Sequence, residues 1–208
     1  TTSSINGDID WSAAGKVTAV KNQGQCGSCW AFSATASIES AYLLQDNTSV
    51  SLSEQQLVDC SRSYGNQGCN GGWMDSAFDF IIAKGITDTA TYPYVARDQS
   101  CKVATGGYKI AAYVDTDGCT DLLNSLSARP ISVAVDATNW SPYRSGIFTN
   151  CAKNVNHGVL LVGATDDYWR IKNSWGASWG DQGFIRLGRS ASNSDTCAIC
   201  QYPSYPTL

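Results

Sequence analysis

Gln23-Gly-Gln-Cys-Gly-Ser-Cys-Trp-Ala-Phe-Ser33 is where the chain leaves a glycine-rich stretch and enters an apolar run. Cys29 falls at the point where a helix would begin. From Cys29 to about Asp46 the sequence mixes Ala, Phe, Ile, Tyr and Leu with Ser and Thr, enough apolar residues for a buried helix. The macrodipole and free N–H groups of a helix N-terminus favour negative charge, so a cysteine placed there inclines toward thiolate. A thiolate attacks carbonyl carbon; the plainer fate of a cysteine is burial or a disulfide.

The rest of the chain supplies what such a thiolate needs. The one histidine, His157, opens the apolar run Gly158-Val-Leu-Leu-Val162 and follows Asn156 rather than a hydrophobe. Asn173 lies in Lys172-Asn-Ser-Trp-Gly-Ala-Ser-Trp-Gly180. Nucleophile, base and an amide to orient the base therefore occur in the order Cys, His, Asn. A lone histidine is ordinarily a satisfied core or surface residue, and an asparagine before Ser-Trp-Gly is ordinarily a turn residue.

These motifs resemble the papain family of cysteine proteases, cathepsin L-like in its mature form, from about Asp10-Trp11 to Tyr205-Pro206. The resemblance implies an α+β, papain-like, two-lobed fold. A helical lobe over residues 12–112 would carry the nucleophile. A β-rich, antiparallel barrel-like lobe over 113–208, with 1–11 packing on it, would carry the histidine and asparagine. The active-site cleft would lie between them. It further implies a cysteine endopeptidase working through a Cys29–His157 thiolate–imidazolium pair and an acyl-enzyme. Asn173 would hold the imidazole, Trp175 would shield that bond from water, and Gln23 would donate to the developing oxyanion beside the Cys29 N–H. Trp175 and Trp179 serve equally as core aromatics, and Gln23 alone reads as a surface residue.

For substrate, Asn70-Gly71-Gly72 offers bare backbone on which an extended peptide could pair, although such glycines also serve turns. By resemblance, Trp73, Met74, Ala134, Val155 and Tyr202 form the pocket for the second residue before the scissile bond, with Tyr202 at the floor, and Asn156 also binds substrate. None is acidic, so a hydrophobic side chain is expected there rather than arginine. The implied partners are protein and peptide substrates, cystatin-like and epoxide-type inhibitors, and a removed inhibitory pro-segment. No cofactor is required and a monomer is expected.

Composition bounds the rest. The 208 residues suit one domain or two small lobes; 43% are hydrophobic, 15% charged, and the net charge is −4. With no Lys/Arg cluster, nucleic acid is not an expected partner. No run is long enough to span a membrane. Acidity suits an acidic compartment.

Nine cysteines is an odd count. Cys26-x-x-Cys29 and Cys197-x-x-Cys200 have zinc-like local spacing, and a tetrathiolate site is the alternative, but eight bridged sulfurs and one free thiol is simpler. That arrangement implies an oxidising, secretory route ending outside the cell, in a lysosome or in a vacuole. The resemblance suggests Cys26–Cys69, Cys60–Cys101 and Cys151–Cys197. Cys119 and Cys200 are left over and are expected to bridge within the second lobe. Asn47-Thr-Ser49 and Asn139-Trp-Ser141 match the glycosylation sequon.

Local patterns place further elements. Ser53-Glu-Gln-Gln56 reads as a capping box. Met74 to Lys84 carries Ala77, Phe78, Ile81 and Ile82 at helical spacing, with Gly85 as C-cap. Cys119 to Arg129 reads as a short helix stopped by Pro130. Strands are expected at Ile131–Val135, Gly158–Val162, Tyr168–Lys172 and Gly183–Leu187. Against the family pattern, the hairpin at Gly163–Trp169 is short, the Thr1–Gly7 segment lacks a proline, and Cys119 and Cys200 are extra. No occluding segment of the kind exopeptidases need is evident. Two rivals share or discard the chemistry: a ligase or transpeptidase in which an amine intercepts the acyl-enzyme, and a catalytically silent binding protein.

Overall fold

The computed structural model describes residues 7–208. The expectations for Thr1–Asn6, including their packing and the missing proline, lie outside the described residues. Four α-helices and eight strands follow in the order β1 (Ile9–Asp10), α1 (Cys29–Asp46), α2 (Glu54–Cys60), α3 (Met74–Lys84), β2 (Ala112–Asp115), α4 (Cys119–Leu126), β3 (Ile131–Val135), β4 (Ile147–Phe148), β5 (His157–Ala164), β6 (Tyr168–Lys172), β7 (Phe184–Gly188) and β8 (Ser204–Thr207).

Helix α1 is buried along almost its whole circumference, from Trp30 to Ser40. One side packs with α2 and α3 in a core of Trp30, Ala34, Ile38, Leu57, Phe78 and Ile81. Its other side faces the sheet, where Ala36 meets Leu160, Val162 and Phe184. The Ser and Thr residues that break its apolar pattern are what allow this double packing. They are small, and the hydroxyls of Ser33, Thr35 and Ser37 find carbonyls: Ser33 Oγ donates to Val159 O at 2.8 Å. The helix ends at Asn47, whose left-handed φ of 60° returns its N–H to Leu43 O.

The capping box forms by half. Ser53 accepts from the Gln56 N–H at 3.0 Å. Gln56 does not reach back; its side chain instead accepts from Thr87 N and donates to the Val103 and Thr105 carbonyls. A fully buried amide there satisfies three loop groups that lack other partners. In α3, Ala77, Phe78 and Ile81 face inward as expected, but Ile82 is exposed, and Phe80 is a second buried ring, edge-on to Tyr64 at 5.6 Å.

The sheet runs β2-β8-β3-β5-β6-β7-β4, with β1 on the end of β5. Its pairs are antiparallel except β4 with β7. The expected barrel-like lobe is built on an open sheet: the path ends at β2 on one side and β4 on the other and does not close. Its second core gathers Leu122, Leu126, Val133, Val159, Trp169 and Leu187. All five residues of β3 are buried, so its alternation does not mark a wet face. Ser132 points at α1 and donates to Ser33 O at 3.1 Å. β5 and β6 are joined through Thr165–Asp167 alone, the trimmed hairpin expected from the sequence. No helix among the described residues is long and apolar enough to cross a membrane.

Four disulfides, Cys26–Cys69, Cys60–Cys101, Cys119–Cys200 and Cys151–Cys197, leave Cys29 free. The sulfurs that zinc-like spacing grouped together are therefore divided among different bridges, and Cys29 has no thiol partner. The Cys119–Cys200 bridge ties the start of α4 to the segment that leads into β8.

Candidate active site

Cys29 is the first residue of α1, half-buried, and His157 is the first residue of β5. Both line one cavity of about 200 Å³ between α1 and the sheet. Helix α1 and strand β5 are in direct contact along their length, which brings residues more than a hundred positions apart onto one wall. The Gly158 N–H is near enough to the Cys29 sulfur to favour its anion, as are those of Trp30 and Cys29 itself. Burial outweighs them and pushes the thiol above its ordinary value. Burial likewise lowers His157 to about 4, opposed by its bond to Asn173. Helix position alone therefore does not ionise Cys29; taken singly, each group is held neutral by desolvation.

Asn173 follows directly on β6. Its Oδ1 lies 2.6 Å from His157 Nε2 and also accepts from Ser174 N at 2.9 Å. An amide oxygen can only accept, so Nε2 carries a proton and Nδ1 is left as the free ring nitrogen. Both residues are buried. The imidazole is enclosed by Trp175, with ring centroids 5.0 Å apart, and by Trp140, edge-on at 5.9 Å. Trp179 stacks on Trp140 and meets Trp175 edge-on. The sequence pointed to Trp175 but not to Trp140, whose only sequence signal is the Asn139-Trp-Ser141 sequon and which enters through the loop after β3.

Gln23 is buried beside them. Its Nε2 donates to Cys26 O at 3.1 Å, and its Oε1 accepts from Ser174 Oγ at 2.7 Å. Ser174 thus decides which end of the amide faces the Cys29 loop, leaving one Nε2 hydrogen uncommitted. Ser174 lies within the Asn-Ser-Trp-Gly motif but was not singled out by sequence. Behind the site, Lys21 bridges Glu39 and Glu54 at 2.9 and 2.7 Å. Lys172, lowered to about 8 chiefly by burial, reaches Thr18 Oγ1 at 3.2 Å. These contacts pin the chain just before Asn173.

The cavity is walled by Gly71, Gly72, Trp73, Met74, Ala134, Val155, Asn156 and Gly158 together with Cys29 and His157. Gly71, at φ 112°, faces open space. Gly72 is bare for another reason: a Cβ there would lie 2.7 Å from the Trp30 ring. Tyr202 is not part of this wall. It lies in an adjoining cavity of about 340 Å³ with Asp75, Asp115, Thr116, Gln201 and Pro203, reached past Trp73 and Met74. Its ring is 51% exposed and leans on Trp73 at 5.4 Å. Packing against that indole carries the phenol outward, where a position in sequence gives no direction. The carboxylates of Asp75 and Asp115 behind it were not anticipated.

Comparison with known proteins agrees with this geometry. The model of the papain family cysteine protease matches residues 5–207. Cathepsin L 2 of Paramecium tetraurelia is 48% identical over 206 residues, covering 97% of this chain and 64% of that protein. Digestive cysteine proteinase 3 of Homarus americanus is 48% identical over 215 residues, covering 97% and 66%. The chain thus spans just under two thirds of the length of these relatives. Among solved structures, a Carica candamarcensis cysteine protease in complex with E-64 superposes with a TM-score of 0.91 at 35% identity, covering 98% of this chain and 99% of that one. Digestive procathepsin L 3 of Tenebrio molitor gives 0.91 at 41% identity, covering 100% and 72%. With a matched family model over nearly its whole length, relatives at almost half identity and the same fold, the chain belongs to the papain family of cysteine proteases.

Proposed function

We propose that the chain is a cysteine endopeptidase whose cleft lies between a helical lobe, residues 12–112, and a β-rich lobe, residues 113–208. The carrying observation is that Cys29 and His157 line one cavity while Asn173 Oδ1 holds His157 Nε2 at 2.6 Å. That bond leaves Nδ1 free to take the Cys29 proton. Transfer creates an anion and a cation together, with no net charge, so the desolvation that opposes each alone is offset by their attraction.

The sulfur then attacks a peptide carbonyl carbon. A C–S bond forms, and the carbonyl π electrons move to oxygen. The Cys29 N–H and the uncommitted Gln23 Nε2 hydrogen stabilise that oxyanion. As it collapses, the C–N bond breaks and His157 gives its proton to the departing amine. Water, deprotonated by His157, attacks the acyl carbon; the C–S bond then breaks, releasing the acid and leaving the Cys29 thiolate beside the protonated His157. The apolar wall of Trp73, Met74, Ala134 and Val155 favours a hydrophobic second residue before the scissile bond, and open Gly71 offers main chain for pairing.

The relatives' names and titles supply the remaining expectations. Solved relatives bound to E-64 and a procathepsin support inhibitors of the E-64 kind and a pro-segment as partners of this cleft; cystatin-like proteins and a monomeric state follow from the family resemblance alone. The four disulfides suit a secretory route to an extracellular, lysosomal or vacuolar destination.

The test is alkylation with an epoxide warhead followed by peptide mapping, alongside Cys29→Ala. Label confined to Cys29, and a folded variant without turnover, support the reading. Wild-type-like cleavage by Cys29→Ala ends it.

A further inference from the structure

The phenol of Tyr94 sits against both sides of the loop that carries the oxyanion donors. Its hydroxyl donates to the Gln23 carbonyl at 2.6 Å and contacts Ser28 Oγ at 2.7 Å. A phenol has one proton, and a carbonyl can only accept. The Tyr94 proton is therefore committed to Gln23, and Ser28 must donate in the second bond. Burial holds the phenol above its ordinary pKa, so it remains a donor at neutral pH.

Both anchored groups flank the chemistry. Ser28 is fully buried and precedes Cys29, whose N–H is one oxyanion donor. As N-cap of α1 its side chain makes no capping bond, so Tyr94 supplies its short acceptor; the other contact, to Cys26 O, is 3.5 Å long. Among the described residues the Gln23 carbonyl has Tyr94 as its donor. Fixing that carbonyl fixes the Gln23 backbone and hence the direction in which its side chain leaves.

Tyr94 is itself held rigidly. Its ring meets Phe32, one turn into α1, edge-on at 4.9 Å. On either side of it, Ser53 Oγ donates to Tyr92 O at 2.7 Å and Val95 N donates to Gln55 Oε1 at 2.9 Å. The segment is thus fastened to α2, and the phenol transmits that rigidity to the Gln23–Ser28 loop.

We propose that Tyr94 is a positioning residue for the oxyanion site, one hydroxyl setting the backbone on both sides of the donors Gln23 and Cys29. The proposal rests on the endopeptidase reading and on Gln23 acting as an oxyanion donor. Tyr94 touches no reacting atom. Its contribution is realised in the transition state, where charge appears on oxygen, and so belongs in kcat rather than KM.

The experiment is a double-mutant cycle of Tyr94→Phe and Gln23→Ala, with active sites counted by epoxide titration so that only folded enzyme is scored. Removing an oxyanion donor outright costs about 10²–10³ in rate, and misplacing it costs a part of that. Tyr94→Phe is expected to lower kcat about tenfold with KM unchanged to within about twofold. In the Gln23→Ala background the same change should cost only about two- to threefold, because the group it positions is gone. Ser28→Ala, which breaks one of the two bonds, should lower kcat about threefold and serves if Tyr94→Phe does not fold. An unchanged kcat in both Tyr94→Phe and Ser28→Ala overturns the proposal, as does an equal Tyr94→Phe loss in both Gln23 backgrounds. A Gln23→Ala enzyme with full kcat sinks the oxyanion assignment and this proposal with it. A Gln23-dependent enzyme that ignores Tyr94 sinks this proposal alone.

Discussion

Replacing Asn173 by alanine tests whether the imidazole's orientation is what makes the site work. The variant removes the acceptor 2.6 Å from His157 Nε2. Both residues are almost fully buried, so water does not replace it. In the proposed reaction that N–H belongs to an imidazolium, and a hydrogen bond to a charged group contributes about 1.5–3 kcal/mol. The expected loss in kcat/KM is therefore about 10- to 150-fold. Stability should suffer less than activity, because the same change deletes Asn173 Nδ2, a buried donor with no partner. The bond also raises the pKa of His157 against burial. Without it the imidazolium loses its proton at lower pH, so the alkaline limb of the rate profile moves toward acid. The assay is hydrolysis of a fluorogenic peptide across the acid and neutral range, normalised to titratable thiol. A kcat/KM within about twofold of wild type, with an unmoved alkaline limb, would refute the reasoning.

Three further outcomes are expected. Asp75 is raised to about 6 by burial and by repulsion from Asp115 and Asp79, above its unfolded value near 3.8. Its favourable contribution is present below that unfolded value and is lost as pH rises through about 6. Asp75→Asn should then raise Tm at neutral pH by a few degrees, about 1 kcal/mol after solvent screening, and leave it unmoved in acid; an equal gain at both pH values would contradict this. A peptide series varying the second residue before the scissile bond should rank Leu, Val and aromatics above Arg, and the reverse order would show that Asp75 and Asp115 reach the substrate past Trp73. Changing Cys119 and Cys200 together to serine opens an 81-residue separation and should cost about 4.5 kcal/mol on the loop-closure model, lowering Tm while folded enzyme keeps its kcat; an unchanged Tm would show that the bridge contributes nothing to stability.

Much of this molecule is written in short-range pattern. The start of α1 at Cys29, the span of α3 from Met74 to its Gly85 cap, and the strands at Ile131 and Tyr168 follow from spacing, capping and β-branched runs, which depend on neighbours within a few residues. An odd cysteine count made one sulfur free whatever the connectivity, and the free one is Cys29. The order of Cys29, His157 and Asn173, with their motifs, pointed to the family.

What tertiary structure alone decided concerns direction and long-range partnership. Trp140 encloses His157, Ser174 turns the Gln23 amide, and Gln56 abandons its capping arm for three distant loop groups. Tyr202 leans outward on Trp73, and the sheet stays open between β2 and β4. Each depends on which surfaces meet when α1 is laid across β5. Periodicity records which residues avoid water; it does not record which partner, many positions away, replaces that water.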